Sequence, residues 1–148
     1  MSDLRDLYQQ MILDHYRRPR NRGEMDDCTF SADGFNPLCG DRITVFVKME
    51  EDKIADIRFV GDGCAISMAS ASMMTEAIKG KEEQEAEALF ESFHALVAGD
   101  GLADEAEVGK LQVFGGVRDY PLRVKCATLT WHTLRAALRG TDEPVSTE

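Results

Sequence analysis

Leu4, Leu7, Tyr8, Met11, Ile12 and His15 recur at the three- and four-residue spacing of a helix with one apolar face. The pattern stops before Pro19, whose ring and missing N–H end a helix. The period then changes to two. Cys28, Phe30 and Ala32 alternate with polar neighbours, and Ile43, Val45, Val47 and Met49 do so more clearly, with Thr44 and Lys48 between them. Glu50-Glu51-Asp52-Lys53 reads as a turn, and residues 54–60 as the returning strand of a hairpin. Gly61-Asp62-Gly63 breaks that strand.

Residues 64–79 are helical in composition, and Gly80 supplies the stop. The small residues Ala69, Ser70, Ala71 and Ser72 allow close packing against a sheet, and Met68, Met73 and Met74 fill a core. Residues 82–97 form a second helical stretch with Leu89, Phe93, Leu96 and Val97 on one face, ended by residues 98–101. Gly115-Gly116 predicts a loop, and Pro121 suits the first turn of a last helix striped by Ala127, Thr130, Trp131, Leu134 and Leu138. The order of helix, two or three antiparallel strands, then helices is that of an α+β domain. With no internal repeat and no linker, all 148 residues are expected in one domain, with a loose polar tail from about residue 141.

The formal charge of −10 opposes general binding to nucleic acid or anionic membranes. No apolar run approaches the roughly 18 residues of a membrane span. The start of the chain lacks a signal-peptide core, so a cytoplasmic protein is expected by exclusion. The charge is uneven: residues 82–107 are densely acidic, while residues 15–22 are basic through Arg17, Arg18, Arg20 and Arg22. Those arginines either offset the negative end of the first helix or dock a protein partner.

Four cysteines in a reducing compartment are not expected to pair as disulfides, and none forms a C-x-x-C motif. Three of them sit at junctions. In Asn36-Pro37-Leu38-Cys39-Gly40-Asp41 a turn places a thiol and a carboxylate two positions apart, with Gly40 relaxing the backbone between them. As a turn carboxylate, Asp41 is expected to matter more to the site than to the fold. Gly61-Asp62-Gly63-Cys64 puts the second thiol at a helix N-terminus, where the macrodipole favours thiolate. Arg123-Val124-Lys125-Cys126 puts the third early in the last helix, beside two cations expected to lower its pKa. Taken alone, a cysteine at any of these positions is more often a small buried hydrophobe, and Cys28, inside an alternating strand, is left in that class. His132 points away from Cys126, and His15 and His94 are read as surface or partner-facing residues.

These three cysteine segments, with Asp14-His15-Tyr16-Arg17-Arg18-Pro19-Arg20-Asn21 before them, resemble the SufU/IscU family of iron–sulfur assembly proteins (NifU N-terminal-like), in order and from about Leu4 to Leu138. The resemblance implies an α+β fold with a small three-stranded antiparallel sheet packed against several helices. It also implies a metal site formed by Cys39, Asp41, Cys64 and Cys126, with Arg123 and Lys125 offsetting part of its charge. IscU-type scaffolds carry a His immediately before the third cysteine, where Lys125 stands here. SufU proteins carry an acidic helical insert like residues 81–103. The likeness is thus closer to SufU.

What the SufU resemblance implies is zinc-dependent acceptance of persulfide sulfur from a pyridoxal-phosphate-dependent cysteine desulfurase of the SufS kind, with Cys39 as acceptor. Arg17, Arg18 and Arg20 would dock that partner, and downstream iron–sulfur scaffold proteins would receive the sulfur. The alternative on the same residues is a scaffold that assembles and transfers a [2Fe–2S] cluster, or holds iron. A third reading is a structural zinc module that only binds a partner.

Overall fold

The computed structural model describes residues 2–98, 108–140 and 144–146. Helix α1 (Ser2–Arg17) leads into β1 (Phe30–Asn36), β2 (Asp41–Glu50) and β3 (Lys53–Asp62). Helices α2 (Ala65–Ile78) and α3 (Glu83–Ala98), a 3-10 segment (Gly109–Asp119), α4 (Pro121–Leu138) and β4 (Val145–Ser146) follow.

The alternation seen in the sequence is the burial pattern of the sheet. Ile43, Val45 and Val47 of β2 and Ile54, Ile57 and Phe59 of β3 are buried, while Ser31, Asp33 and Phe35 face outward. β1 and β2 pair antiparallel with Asn36 opposite Asp41, and β2 and β3 pair antiparallel through a turn in which Glu51 and Asp52 both take positive φ. That backbone matches the strand twist of a two-residue hairpin.

α2 and α4 cover the inner face of the sheet and pack on each other, with α1 against α2 and α3 with the 3-10 segment against α4. The small residues of α2 permit this contact and pin it. Ser70 Oγ donates to the Ala127 carbonyl at 2.6 Å and accepts from Trp131 Nε1 at 3.2 Å. Trp131 is fully buried and stacks on Phe93 of α3 with centroids 4.7 Å apart. Apolar area on this scale dominates the stabilisation of the fold.

Several sequence expectations are corrected. The sheet has four strands in the order β3-β2-β1-β4, not three. Part of the tail expected to be loose supplies the fourth, since Val145 and Ser146 pair in parallel with Gly34 and Phe35. Cys28 precedes β1 rather than lying within it, and is half-buried. Gly115-Gly116 is no open loop but part of the 3-10 segment, held down by buried Val113, Phe114 and Val117. The predicted stop of the acidic helix falls at the end of α3, and residues 99–107 lie outside the described residues.

His15, expected at the surface, is buried. Its place in the apolar stripe of α1 turns it onto α2, where Nδ1 lies 2.7 Å from Ser72 Oγ and Nε2 lies 3.6 Å from Glu76. Burial lowers its pKa, so the neutral ring holds this helix pair together. Among the described residues no helix is long and apolar enough to cross a membrane.

Candidate metal centre

The register of the sheet brings two of the three cysteine segments to one end. Asn36 closes β1 and Asp41 opens β2 as its partner, so residues 37–40 form a tight connection with Cys39 near its tip. Asn36 shapes that connection. Its carbonyl accepts the N–H groups of Cys39 and Gly40 at 3.2 and 2.8 Å, and its Oδ1 accepts the Leu38 N–H at 3.2 Å. Gly40 has φ +75°, a left-handed conformation natural to glycine.

At the same end β3 runs out at Asp62, and Cys64 caps α2, its sulfur accepting the Ser67 N–H at 3.4 Å. Asp41 ties this turn to the other. Its Oδ1 accepts the Cys64 N–H at 2.9 Å, and a Cβ on Gly63 would stand 2.6 Å from that same oxygen. The carboxylate therefore needs a glycine beside it. The third segment arrives on α4, whose second turn carries Cys126 to within 3.7 Å of Asn36 Nδ2.

Cys39, Asp41 and Cys126 each offer one ligand atom, all within 4.8 Å of one another. The Cys39 and Cys126 sulfurs are 3.4 Å apart. Cys64 joins at the edge of this group, its sulfur 3.9 Å from Asp41 Oδ2. Tetrahedral zinc with ordinary bond lengths requires about 3.8 Å between two sulfurs and about 3.5 Å between sulfur and oxygen. Cys39, Asp41 and Cys126 fit such an ion, while Cys64 lies outside their 4.8 Å group and its side chain has to turn inward to serve as the fourth ligand. Cys28 takes no part.

Accessibility divides the four. Cys126 and Asp41 are buried, whereas Cys39 and Cys64 are exposed. Leu38, beside Cys39, and Tyr120 and Leu122, at the start of the helix that carries Cys126, stand exposed, at 61%, 52% and 48%. These are apolar side chains in a strongly charged protein.

Crowding the thiols sets their acidity. The Cys126 thiol donates to the Cys64 sulfur and lowers the Cys64 pKa to about 7; the Ser67 N–H adds to this, against opposition from burial and Asp41. Cys126 is pushed up by that same bond to Cys64, then by burial, Asp41 and Cys39. The sequence expectation that Arg123 and Lys125 would lower the Cys126 pKa is overturned: Arg123 is exposed and lies over the Tyr120 ring at 4.6 Å, and Lys125 is half-buried. In metal-free protein Cys64 should alkylate along a titration centred near pH 7, because a depressed pKa keeps the thiolate as pH falls towards that value. A midpoint near the ordinary 9.0 would contradict this arrangement.

Other candidates lie elsewhere. Arg17 and Arg18 are exposed at the end of α1, but Arg20 is engaged within the chain, pairing with Asp14 at 2.7 Å. His94 and His132 meet each other and Phe90 between α3 and α4. Sequence reasoning missed the roles of Asn36 and Ser67. Asn36 had a signal in its Asn-Pro turn, but nothing local shows that its amide reaches Cys126, 90 residues away.

Fold and site together define a small α+β domain with a cysteine-rich, solvent-reached centre at one end of its sheet. The model of the NifU-like N terminal domain matches residues 7–139, and the chain belongs to that family, the SufU/IscU group of iron–sulfur cluster assembly proteins. It is 44% identical over 133 residues to the zinc-dependent sulfurtransferase SufU of Bacillus subtilis, covering 90% of each chain. It is 42% identical over 139 residues to the iron–sulfur cluster assembly scaffold protein IscU of Streptococcus pyogenes serotype M1, covering 94% of this chain and 87% of that one. The crystal structure of a candidate SUF-system assembly scaffold from Fervidobacterium islandicum AW-1 superimposes with a TM-score of 0.83 at 37% identity, over 87% of this chain and 94% of that one.

Proposed function

We propose that this protein accepts persulfide sulfur from a pyridoxal-phosphate-dependent cysteine desulfurase at Cys39, with Cys39, Asp41, Cys64 and Cys126 holding zinc. The observation that carries the reading is the convergence of two thiols and one carboxylate, those of Cys39, Cys126 and Asp41, with Cys64 beside Asp41, on a centre in which one of the most reachable sulfurs sits at the tip of a turn. The relative named a zinc-dependent sulfurtransferase supports it. When bound, zinc supplies a redox-inert Lewis acid that keeps its thiolate ligands deprotonated. Three thiolates, one carboxylate and Zn²⁺ leave a formal site charge of +2 − 3 − 1 = −2, which the N-terminus of α2 offsets in part.

In the transfer itself the Cys39 thiolate attacks the terminal sulfur of the desulfurase persulfide. A sulfur–sulfur bond forms at Cys39 as the bond to the desulfurase cysteine breaks, and that cysteine leaves as thiolate. Nothing is oxidised or reduced overall. Cys126 and Asp41 are too deeply buried to serve as acceptor. The exposed apolar side chains of Leu38, Tyr120 and Leu122 give a partner a surface on which to exclude water. Sulfur would pass onward to an iron–sulfur scaffold protein.

Arg17 and Arg18 are the exposed cations we assign to docking the desulfurase. Changing both to Glu should weaken association in a salt-sensitive way, measured as a dissociation constant at low and high salt. An unchanged constant at low salt would remove that role.

The relative named as a scaffold, at 42% identity, favours a second reading in which the same residues assemble a [2Fe–2S] cluster. Metal analysis of purified protein, set against visible absorbance after anaerobic reconstitution with ferrous iron and sulfide, separates the two. One zinc per chain and no stable chromophore is the result expected. A persistent cluster with little zinc would favour the scaffold.

A further inference from the structure

Ser67 stands one turn into α2, fully buried, and its hydroxyl has no hydrogen-bond partner among the described residues. Buried hydroxyls are rarely left so. Ser70 and Ser72, on the same helix and equally buried, both have partners. The usual use of a polar side chain at the third helical position is to reach back to the N–H of the capping residue. Here Asp41 Oδ1 already takes the Cys64 N–H, at 2.9 Å.

The Cys64 sulfur caps this same turn. The Ser67 N–H points at it from 3.4 Å, and the hydroxyl oxygen is joined to that nitrogen only through Cα and Cβ. As placed the hydroxyl has no partner, so a rotation about χ1 is needed to bring it to that sulfur. We propose that Ser67 is a positioning residue, whose hydroxyl is a further hydrogen-bond donor to the Cys64 sulfur and fixes Cys64 as the ligand that stays while Cys39 exchanges.

The physical reason is charge. A thiolate that accepts two hydrogen bonds has its electron density drawn away from the lone pair an electrophile would attack. Cys39 faces no such pair of donors. Its sulfur accepts from the Cys126 thiol at 3.4 Å, a donor that is lost once Cys126 binds metal as thiolate, and it is exposed. Cys64 is also exposed, so exposure alone does not choose between the two sulfurs. The donors at Cys64 do. This inference rests on the zinc reading above.

The test loads wild type, Ser67→Ala and Ser67→Thr with zinc, measures zinc per chain, and treats each with limiting iodoacetamide. Mass spectrometry of peptides then gives the alkylation ratio of Cys39 to Cys64. Wild type should react first at Cys39. Ser67→Ala should lower the ratio about fivefold, the worth of one hydrogen bond, by speeding Cys64 while the rate at Cys39 holds. Ser67→Thr, which keeps the hydroxyl, should restore it. A merely structural role would move both rates together. A second measurement needs no variant: wild type loaded with cadmium-113 should show a correlation between the metal and the Ser67 hydroxyl proton. An unchanged ratio in Ser67→Ala, or no such correlation, overturns the inference alone. Wild type that holds no zinc overturns the zinc reading, and this inference with it.

Discussion

Replacing Cys126 by Ser is expected to abolish zinc retention, while Cys28→Ser leaves it at the wild-type level. Cys126 is the buried thiol at the middle of the group, 3.4 Å from the Cys39 sulfur and hydrogen-bonded to the Cys64 sulfur. A serine hydroxyl at that depth replaces a thiolate with a group that zinc binds weakly and that stays protonated. Zinc affinity shared among four ligands implies a loss of roughly two orders of magnitude or more from this change. Cys28 lies half-buried ahead of β1 and belongs to no ligand group. Zinc measured per mole of purified variant decides the matter. Loss in Cys28→Ser with retention in Cys126→Ser would reverse the assignment of ligands.

Asp41→Ala should cost both metal and stability, a larger part in the fold than the sequence expectation gave this residue. The side chain is fully buried, and it is the acceptor for the Cys64 N–H at 2.9 Å. Alanine leaves that donor unpaired at a cost of about 1–3 kcal/mol. It also opens space beside Gly63, whose missing side chain had made room for the carboxylate. Asp41→Asn keeps a carbonyl oxygen for the N–H but loses the charge. Thermal melts of the metal-free proteins should therefore rank wild type and Asp41→Asn together above Asp41→Ala, while zinc content after loading falls in both variants. Equal melting temperatures for Asp41→Ala and wild type would place the carboxylate outside the structural framework of the turn.

These two residues mark how far the sequence could be read. Local signals were reliable where one segment decides the outcome. Gly80 ends α2 and carries φ +87°, Pro121 opens α4, and Cys64 caps a helix as the glycine break before it implied. What local signals could not supply was the identity of the packing partner. His15 was placed in the apolar stripe of α1, yet only the position of Ser72, 57 residues later, makes burial of an imidazole acceptable. Asp41 read as a turn carboxylate because Gly63, which packs against it, follows the end of another strand. The expected acidity of Cys126 failed for the same reason, whereas that of Cys64 held. Lys125 and Arg123 are neighbours in sequence, but Cys64, Asp41 and Cys39 are the groups that face Cys126 in space. Val145 and Ser146 carried no strand signal of their own, being two residues that complete the exposed edge of β1. The ligand group itself was legible because each cysteine segment carries its own turn or cap chemistry, and the register of the sheet then aligns them.

The central claim is that Cys39 accepts sulfur at a zinc-held centre, and desulfurase turnover tests it most directly. Zinc-loaded wild type, Cys39→Ser and metal-free wild type are each titrated into a cysteine desulfurase with free cysteine and no other reductant. Intact-protein mass spectra are recorded alongside. The account predicts that zinc-loaded wild type raises turnover and gains the mass of one sulfur atom, mapped to Cys39, while the other two samples do neither. Stoichiometric zinc in wild type, with turnover unchanged and no sulfur on Cys39, would contradict it.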